Sequence, residues 1–142
     1  MEVKIRRFDK EITLPEYKTA GAVAMDLALR EGATIAPHQV AWLPLNVAIK
    51  PPAGHFIMLA ARSSLYKRGL AMRNSVGIFD EDFAGDNDEY HAVLYNFTDE
   101  AVVVERGDRV AQIIVIPYAK VDLREVDSMG EADRGGFGTT GI

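Results

Sequence analysis

Asn74-Ser75-Val76-Gly77-Ile78-Phe79-Asp80-Glu81-Asp82-Phe83-Ala84-Gly85 runs two apolar residues straight into three acids, then an aromatic and, two positions on, a glycine. That pattern predicts a short buried strand that turns sharply and returns as a second strand, a hairpin with its acids near the bend. The return strand is expected at His91–Asn96 (HAVLYN), and the polar Asp86-Asn87-Asp88-Glu89 between them is expected to be an exposed loop. Turns favour Asp for local hydrogen bonding, so the triplet by itself reads either as a solvated bend or as a carboxylate held rigidly at a strand end.

The sequence on either side repeats the strand signal. Toward the N-terminus, alternation predicts a strand over 2–8, a break at Leu14-Pro15-Glu16-Tyr17, and a loop feeding a strand at Met25–Leu29. In that strand Asp26 faces opposite to Met25 and Leu27. Short strands are expected at 33–35 and 39–49 around the Ala36-Pro37-His38 turn, then at 55–60. One helical turn is expected at Ser64–Lys67, with Ser63 or Ser64 as its cap. After the hairpin come a β-branched strand at Ala101–Glu105, a tight turn at Arg106-Gly107-Asp108, and the nearly continuous apolar run Arg109–Pro117 (RVAQIIVIP). Such a run implies burial on both faces or at a subunit interface. Many short strands with one short helix predict an all-β barrel or jelly roll. The domain is expected to span 1–126, followed by a mobile Gly-rich tail over 127–142 that cannot build a core.

Bulk properties narrow the function classes. A chain of 142 residues fits one domain, and 48% hydrophobic with 26% charged residues is ordinary for a globular protein. A net charge of −5 argues against a broad nucleic-acid surface, and no apolar run is long enough to span a bilayer. The N-terminus MEVKIRRFDKEI lacks a signal-peptide core, and with no cysteine there is no disulfide framework or thiolate metal site. A cytoplasmic, or more broadly intracellular, location is the expectation. A small anionic ligand remains compatible with the charge where basic residues converge and a divalent cation offsets repulsion from nearby acids.

Five stretches carry compositions that structure alone does not demand. Arg134-Gly135-Gly136-Phe137-Gly138-Thr139-Thr140 resembles a phosphate cradle: glycines allow close backbone approach, Arg and Thr donate hydrogen bonds, and Phe137 is suited to stacking on a planar ligand. Arg62-Ser63-Ser64 sets a fork donor and two hydroxyls just past a strand. Gln112 inside an apolar strand is an amide that needs a partner, from a ligand or from backbone. The segment around Asp26 and the hairpin complete the set.

In this order and at these spacings the five stretches resemble the motifs of the homotrimeric dUTP nucleotidohydrolases (dUTPases): Ala20–Leu27, Arg62–Leu65, Asn74–Gly85, Gly107–Gln112 and Arg134–Gly141. The resemblance covers nearly the whole chain. It implies a distorted jelly roll (β-clip), a trimer with active sites at subunit interfaces, and Mg2+-assisted hydrolysis of dUTP to dUMP and pyrophosphate. That activity would limit uracil incorporation into DNA and supply dUMP for dTMP synthesis. It implies Asp80 as the general base that activates water, and Phe83 as the floor under the deoxyribose. Asn74 and the hairpin backbone, Gly77 included, would read the uracil edge. Arg62, Ser63, Ser64 and Gln112 would meet phosphate, and Asp26 would act near the metal, directly or through water. Arg134 would clamp the terminal phosphate, Phe137 would stack on uracil, and Gly138, Thr139 and Thr140 would close on phosphate oxygens.

The chain departs from the family pattern in places. Ala22 and Ala24 stand where serine and glycine are frequent, and the spacing from Arg134 to Phe137 is about two residues shorter than usual. A polar insert follows Gly85. Two alternatives compete. The dCTP deaminases resemble the chain in fold and in the Arg62-Ser63-Ser64-Leu65 motif, but need a glutamate on the return strand, near Val93 here. A non-catalytic nucleotide-binding jelly-roll module would need neither the acid nor the glycine tail.

Overall fold

The computed structural model describes residues 1–139 and 141. Among them lie strands β1 (Lys4–Arg7), β2 (Met25–Ala28), β3 (Ala33–Ile35), β4 (Val40–Pro44), β5 (Val47–Lys50) and β6 (His55–Ala61). A 3-10 turn at Leu65–Arg68 leads into β7 (Leu70–Met72), β8 (Gly77–Phe79), β9 (His91–Asn96), β10 (Val102–Val104) and β11 (Arg109–Pro117). Among the described residues no helix is long and apolar enough to cross a membrane.

The apolar run that forms β11 is a central strand. It lies between β2 and β6 in a four-stranded sheet ordered β2-β11-β6-β8, which explains why its side chains are apolar on both faces. A three-stranded sheet, β4-β9-β7, and two pairs, β1-β5 and β10-β3, complete the structure. Ile57, Leu59 and Ile113 from the large sheet and Leu94 from β9 are fully or almost fully buried and share one core with Leu27, Leu29 and Ile35.

Three expectations need correction. The Asn74–Gly85 stretch does not fold back on His91–Asn96 as a hydrogen-bonded hairpin. β8 pairs with β6, Phe79 opposite Ile57, whereas β9 pairs with β4 and β7. The connection between β8 and β9 does not dictate their pairing: β8 takes the edge of the large sheet beside β6, and β9 lies between β4 and β7. Second, Asp86–Glu89 is not uniformly an exposed loop. The Glu89 side chain is only 8% exposed and meets the Arg30 guanidinium at 2.8 and 2.9 Å. It also accepts a 3.0 Å hydrogen bond from the Asn46 amide. A partly buried carboxylate requires such partners, and they pin the end of the insert to the β4–β5 turn. Third, Ser64 occupies the N-cap position of the 3-10 turn without a side-chain cap hydrogen bond. The turn is closed at its other end instead. Gly69, in the left-handed region at φ 75°, donates to the Tyr66 carbonyl at 3.0 Å. A Cβ there would stand 2.4 Å from Thr98 Cγ2.

One polar side chain organises the end opposite the insert. Asn96 is fully buried, and its Nδ2 donates to the carbonyls of Ile35, Ala36 and Glu100 at 2.9, 3.2 and 2.7 Å. Its Oδ1 accepts from the Thr98 amide and hydroxyl at 2.9 and 2.8 Å. Asn96→Ala strands several of these groups away from water, and a loss of about 3 kcal/mol is expected. Urea unfolding at fixed protein concentration measures it, and an unchanged midpoint would show that water replaces the amide without loss.

Candidate active site

β11 brings three of the sequence stretches together. Gln112 lies opposite Asp26 on β2 and opposite Ala60 on β6, so the Asp26, Arg62 and Gly107–Gln112 segments become neighbours at one end of the sheet. Asp26, 16% exposed, receives Arg62 Nε at 3.0 Å and Arg109 Nη1 at 3.3 Å on its two carboxylate oxygens. Arg62 Nη1 also donates to the Arg109 carbonyl at 3.2 Å. The Gln112 amide finds its partner in the backbone, donating to the Ala61 carbonyl at 2.9 Å.

Beside this cluster a hollow of about 440 Å³ is lined by Arg62, Ser64, Lys67, Arg68, Gly107 and Arg109, among others. Ser63 and Ser64 are both exposed, and of the two Ser64 lines the hollow. Arg68 is held by Asp108 at 2.8 Å and by the Val103 carbonyl at 3.1 Å. Four cationic side chains surround one hollow, three of them (Arg62, Arg109 and Arg68) oriented by Asp26 or Asp108, an arrangement chemically suited to a polyanion.

The Asn74–Gly85 stretch builds a second hollow, of about 230 Å³, whose lining includes Asn74, Gly77 and Phe83. Gly77 packs closely against β6: a Cβ there would stand 3.1 Å from Leu59 Cβ, a tight contact. Phe83 and Phe79 stack with centroids 5.7 Å apart, and Phe79 lies nearly parallel to Tyr90 at 3.7 Å. Burial pushes the Tyr90 hydroxyl well above its usual pKa, and the neutral phenol donates to the Ile49 carbonyl at 3.2 Å.

Asp80 follows β8 directly, and its carbonyl accepts the Phe83 amide at 3.1 Å to close the turn. The exposed carboxylate lines an adjoining open hollow with Lys50, Phe56, Glu81, Tyr118 and Lys120. Glu81 fastens this turn to the sheet: its Oε2 accepts from the Tyr118 hydroxyl at 2.6 Å and from the Gly54 amide at 3.0 Å. The Tyr118 hydrogen bond, then the Gly54 amide, hold the Glu81 carboxyl below its ordinary pKa. A depressed carboxyl pKa favours the folded state above the unfolded-state value, and that contribution fades as pH falls through the folded-state value. Tyr118→Phe removes the largest cause. Its expected result is a Glu81 pKa that rises toward the ordinary carboxylate value, read by NMR titration. An unmoved Glu81 titration would show that the Gly54 amide alone sets it.

The tail from 121 onward forms no strand among the described residues and leaves Val121, Leu123, Met129 and Phe137 exposed. Phe137, at φ 52° between left-handed Gly135 and Gly138, has its ring entirely in solvent. Thr139 folds back, its amide donating to the Gly136 carbonyl at 3.1 Å. Arg134 is exposed. Thr140 lies outside the described residues.

Within one chain, then, Asn74, Gly77 and Phe83 share one hollow, Asp80 lines the adjoining one, and Arg62, Ser64, Asp26 and Gln112 converge elsewhere. The Phe83 hollow and the Arg62 hollow have no lining residue in common. Among the described residues no cluster of three His, Cys, Asp or Glu side chains stands ready for a metal ion. Sequence reasoning missed Arg109 and Arg68 as members of the basic cluster. Arg109 reads as a mere strand start next to Asp108, and only the β2–β11 register sets it against Asp26. Tyr118 was missed because its partner lies 37 positions away.

A family model described as dUTPase matches residues 10–141. The chain belongs to the dUTPase family. Among curated dUTPase relatives, the deoxyuridine 5'-triphosphate nucleotidohydrolase of Anaeromyxobacter sp. (strain Fw109-5) is 37% identical over 145 residues, covering 98% of this chain and 97% of that protein. Its counterpart in Hydrogenobaculum sp. (strain Y04AAS1) is 32% identical over 146 residues, covering 100% of this chain and 99% of that protein. The crystal structure of a dUTPase from Streptococcus mutans superposes with a TM-score of 0.77 at 31% identity, covering 86% of this chain and 99% of that one. A Staphylococcus bacteriophage 80alpha dUTPase mutant, G164S, solved with dUpNHpp, reaches a TM-score of 0.86 at 18% identity, with 99% of each chain covered. That likeness concerns the fold, and it extends the jelly-roll-like dUTPase architecture over the full chain.

Proposed function

We propose that the chain hydrolyses dUTP to dUMP and pyrophosphate, with Asp80 as the general base. The observation that carries this is the placement of Asp80 at the end of β8, one residue beyond Phe79, where it lines the hollow adjoining the one that holds Asn74, Gly77 and Phe83. Family membership and the names of the relatives support the substrate.

Asn74 and the backbone of the Asn74–Gly85 stretch read the uracil edge, and Phe83 floors the deoxyribose and leaves little room for a 2′-hydroxyl. Asp80 takes a proton from a water molecule as its oxygen adds to phosphorus and the α–β phosphoanhydride bond breaks. Arg62, Ser63, Ser64, Gln112 and Arg109 hold and neutralise the phosphates. Asp26, turned toward this cluster, would help hold Mg2+ through water. The ion, bound with the triphosphate, supplies positive charge against the oxygens and the carboxylates. One dUTP needs both the Phe83 hollow and the Arg62 hollow, which one chain keeps separate. This supports a homotrimer whose active sites lie between subunits, with Arg134, Phe137, Gly138, Thr139 and Thr140 of the tail closing over the nucleotide. The reaction fits a cytoplasmic location, where it would limit uracil in DNA and supply dUMP.

Pyrophosphate release measured across dUTP, dCTP, dTTP and UTP, with Mg2+ and with chelator, tests the proposal. Turnover of dUTP alone, lost on chelation, is expected. Ammonia from dCTP at a comparable rate would make the chain a deaminase, against which stands Val93, an apolar residue lining the nucleoside hollow where that chemistry needs a glutamate. Absence of pyrophosphate from every nucleotide would leave a non-catalytic binding module.

A further inference from the structure

The hollow around Asn74 and Phe83 has a second aromatic side that the proposed hydrolysis leaves unused. Trp42 on β4 pairs with Val93 on β9 and stacks its indole on the His91 imidazole, with centroids 4.0 Å apart and planes 19° apart. Both rings line the same hollow as Asn74, Gly77 and Phe83. Trp42 is 69% exposed, a large apolar surface to leave in water unless something covers it. The pair is also pre-organised. His91 Nδ1 bonds to the Glu89 carbonyl at 2.9 Å, and the Glu89 carboxylate is fixed by Arg30 and the Asn46 amide. An exposed indole held at a set angle beside an amide and a phenylalanine is suited to a planar, partly polar ring.

We propose that the Trp42–His91 stack is a wall of the nucleoside pocket and packs against the pyrimidine nucleoside of the bound nucleotide. The inference rests on the proposed entry of a deoxyuridine nucleotide into this hollow. The wall makes a contact common to ground and transition states, so it acts on binding and not on the chemical step.

Trp42 is the only tryptophan in the chain, so its emission reports on the wall directly. Titrating the full chain with dUMP is expected to change that emission saturably, and to reach the same change at saturation in a chain lacking residues 134–142, at a higher dUMP concentration. Trp42→Ala is expected to raise KM for dUTP about tenfold while kcat stays within about twofold, and Trp42→Phe to restore most of the affinity. Emission indifferent to saturating dUMP, or a Trp42→Ala KM within about twofold of wild type in a protein that turns over dUTP, would overturn the wall. An emission change that requires the tail would overturn it too, assigning Trp42 to a tail contact. A wild-type chain that binds dUMP with a change in Trp42 emission yet releases no pyrophosphate from dUTP would support the wall and remove the hydrolase proposal.

Discussion

Asp80→Asn is expected to keep dUTP bound with a KM near wild type and to lower kcat by about 10²–10⁴-fold. Asparagine has the size of aspartate and retains one acceptor oxygen, but it cannot take a proton from water at neutral pH. The substitution should not disturb the fold, because the Asp80 side chain is exposed and the turn is held by other groups. These are the Asp80 carbonyl, which accepts the Phe83 amide, and Glu81, which is fastened to Tyr118 and Gly54. Pyrophosphate release under saturating dUTP measures kcat, and dUMP binding followed by Trp42 emission or calorimetry measures retention of the pocket. Near-normal turnover would move the base elsewhere, with Asp82 the next carboxylate on the same turn. Loss of binding together with turnover would make Asp80 a ligand-positioning group instead.

What could be read from the amino acids alone divides along physical lines. Arg109–Pro117 was legible to its ends, because a nearly continuous apolar run, interrupted inside only by Gln112, signals a strand covered on both faces or at an interface. The Asp26, Arg62 and Gln112 segments were legible as types of residue that a core does not require. Their convergence was not, since it depends on β11 lying between β2 and β6, and strand partnership is a nonlocal choice. The same cause misdirected the hairpin. Local turn chemistry marked the bend correctly, but the partner of β8 is β6, not the strand that follows it. Glu89 escaped because an acid beside Asp86 and Asp88 looks solvated until its counterion, Arg30, arrives from 59 positions away. Buried ion pairs of this kind leave no local pattern. Trp42 and His91 likewise read as ordinary strand residues until β4 and β9 are paired.

Deleting residues 134–142 is expected to leave a folded protein while lowering kcat/KM for dUTP by about 10²–10⁴-fold. The magnitude follows from the contacts proposed for the tail: a stacked aromatic contributes about 1–3 kcal/mol and a charge-assisted hydrogen bond about 1.5–3 kcal/mol. The fold should survive because the segment contributes no strand among the described residues, and the Phe137 ring reaches nothing within the chain. Thermal melting and size measurement check the fold, and pyrophosphate release checks the activity. A large drop in melting temperature would show the tail to be part of the structural domain and would move the boundary proposed at residue 126. Arg134→Ala and Phe137→Ala then apportion the loss. The Arg134–Phe137 spacing is short, so a single tail serves both contacts only if the arginine and the ring reach the nucleotide from one tight loop. The left-handed Gly135 within that stretch and Gly138 just after it favour such a loop. If Phe137→Ala reproduces most of the deletion and Arg134→Ala little of it, stacking is the tail's main contribution and the terminal phosphate is left to the Arg62–Arg109 cluster.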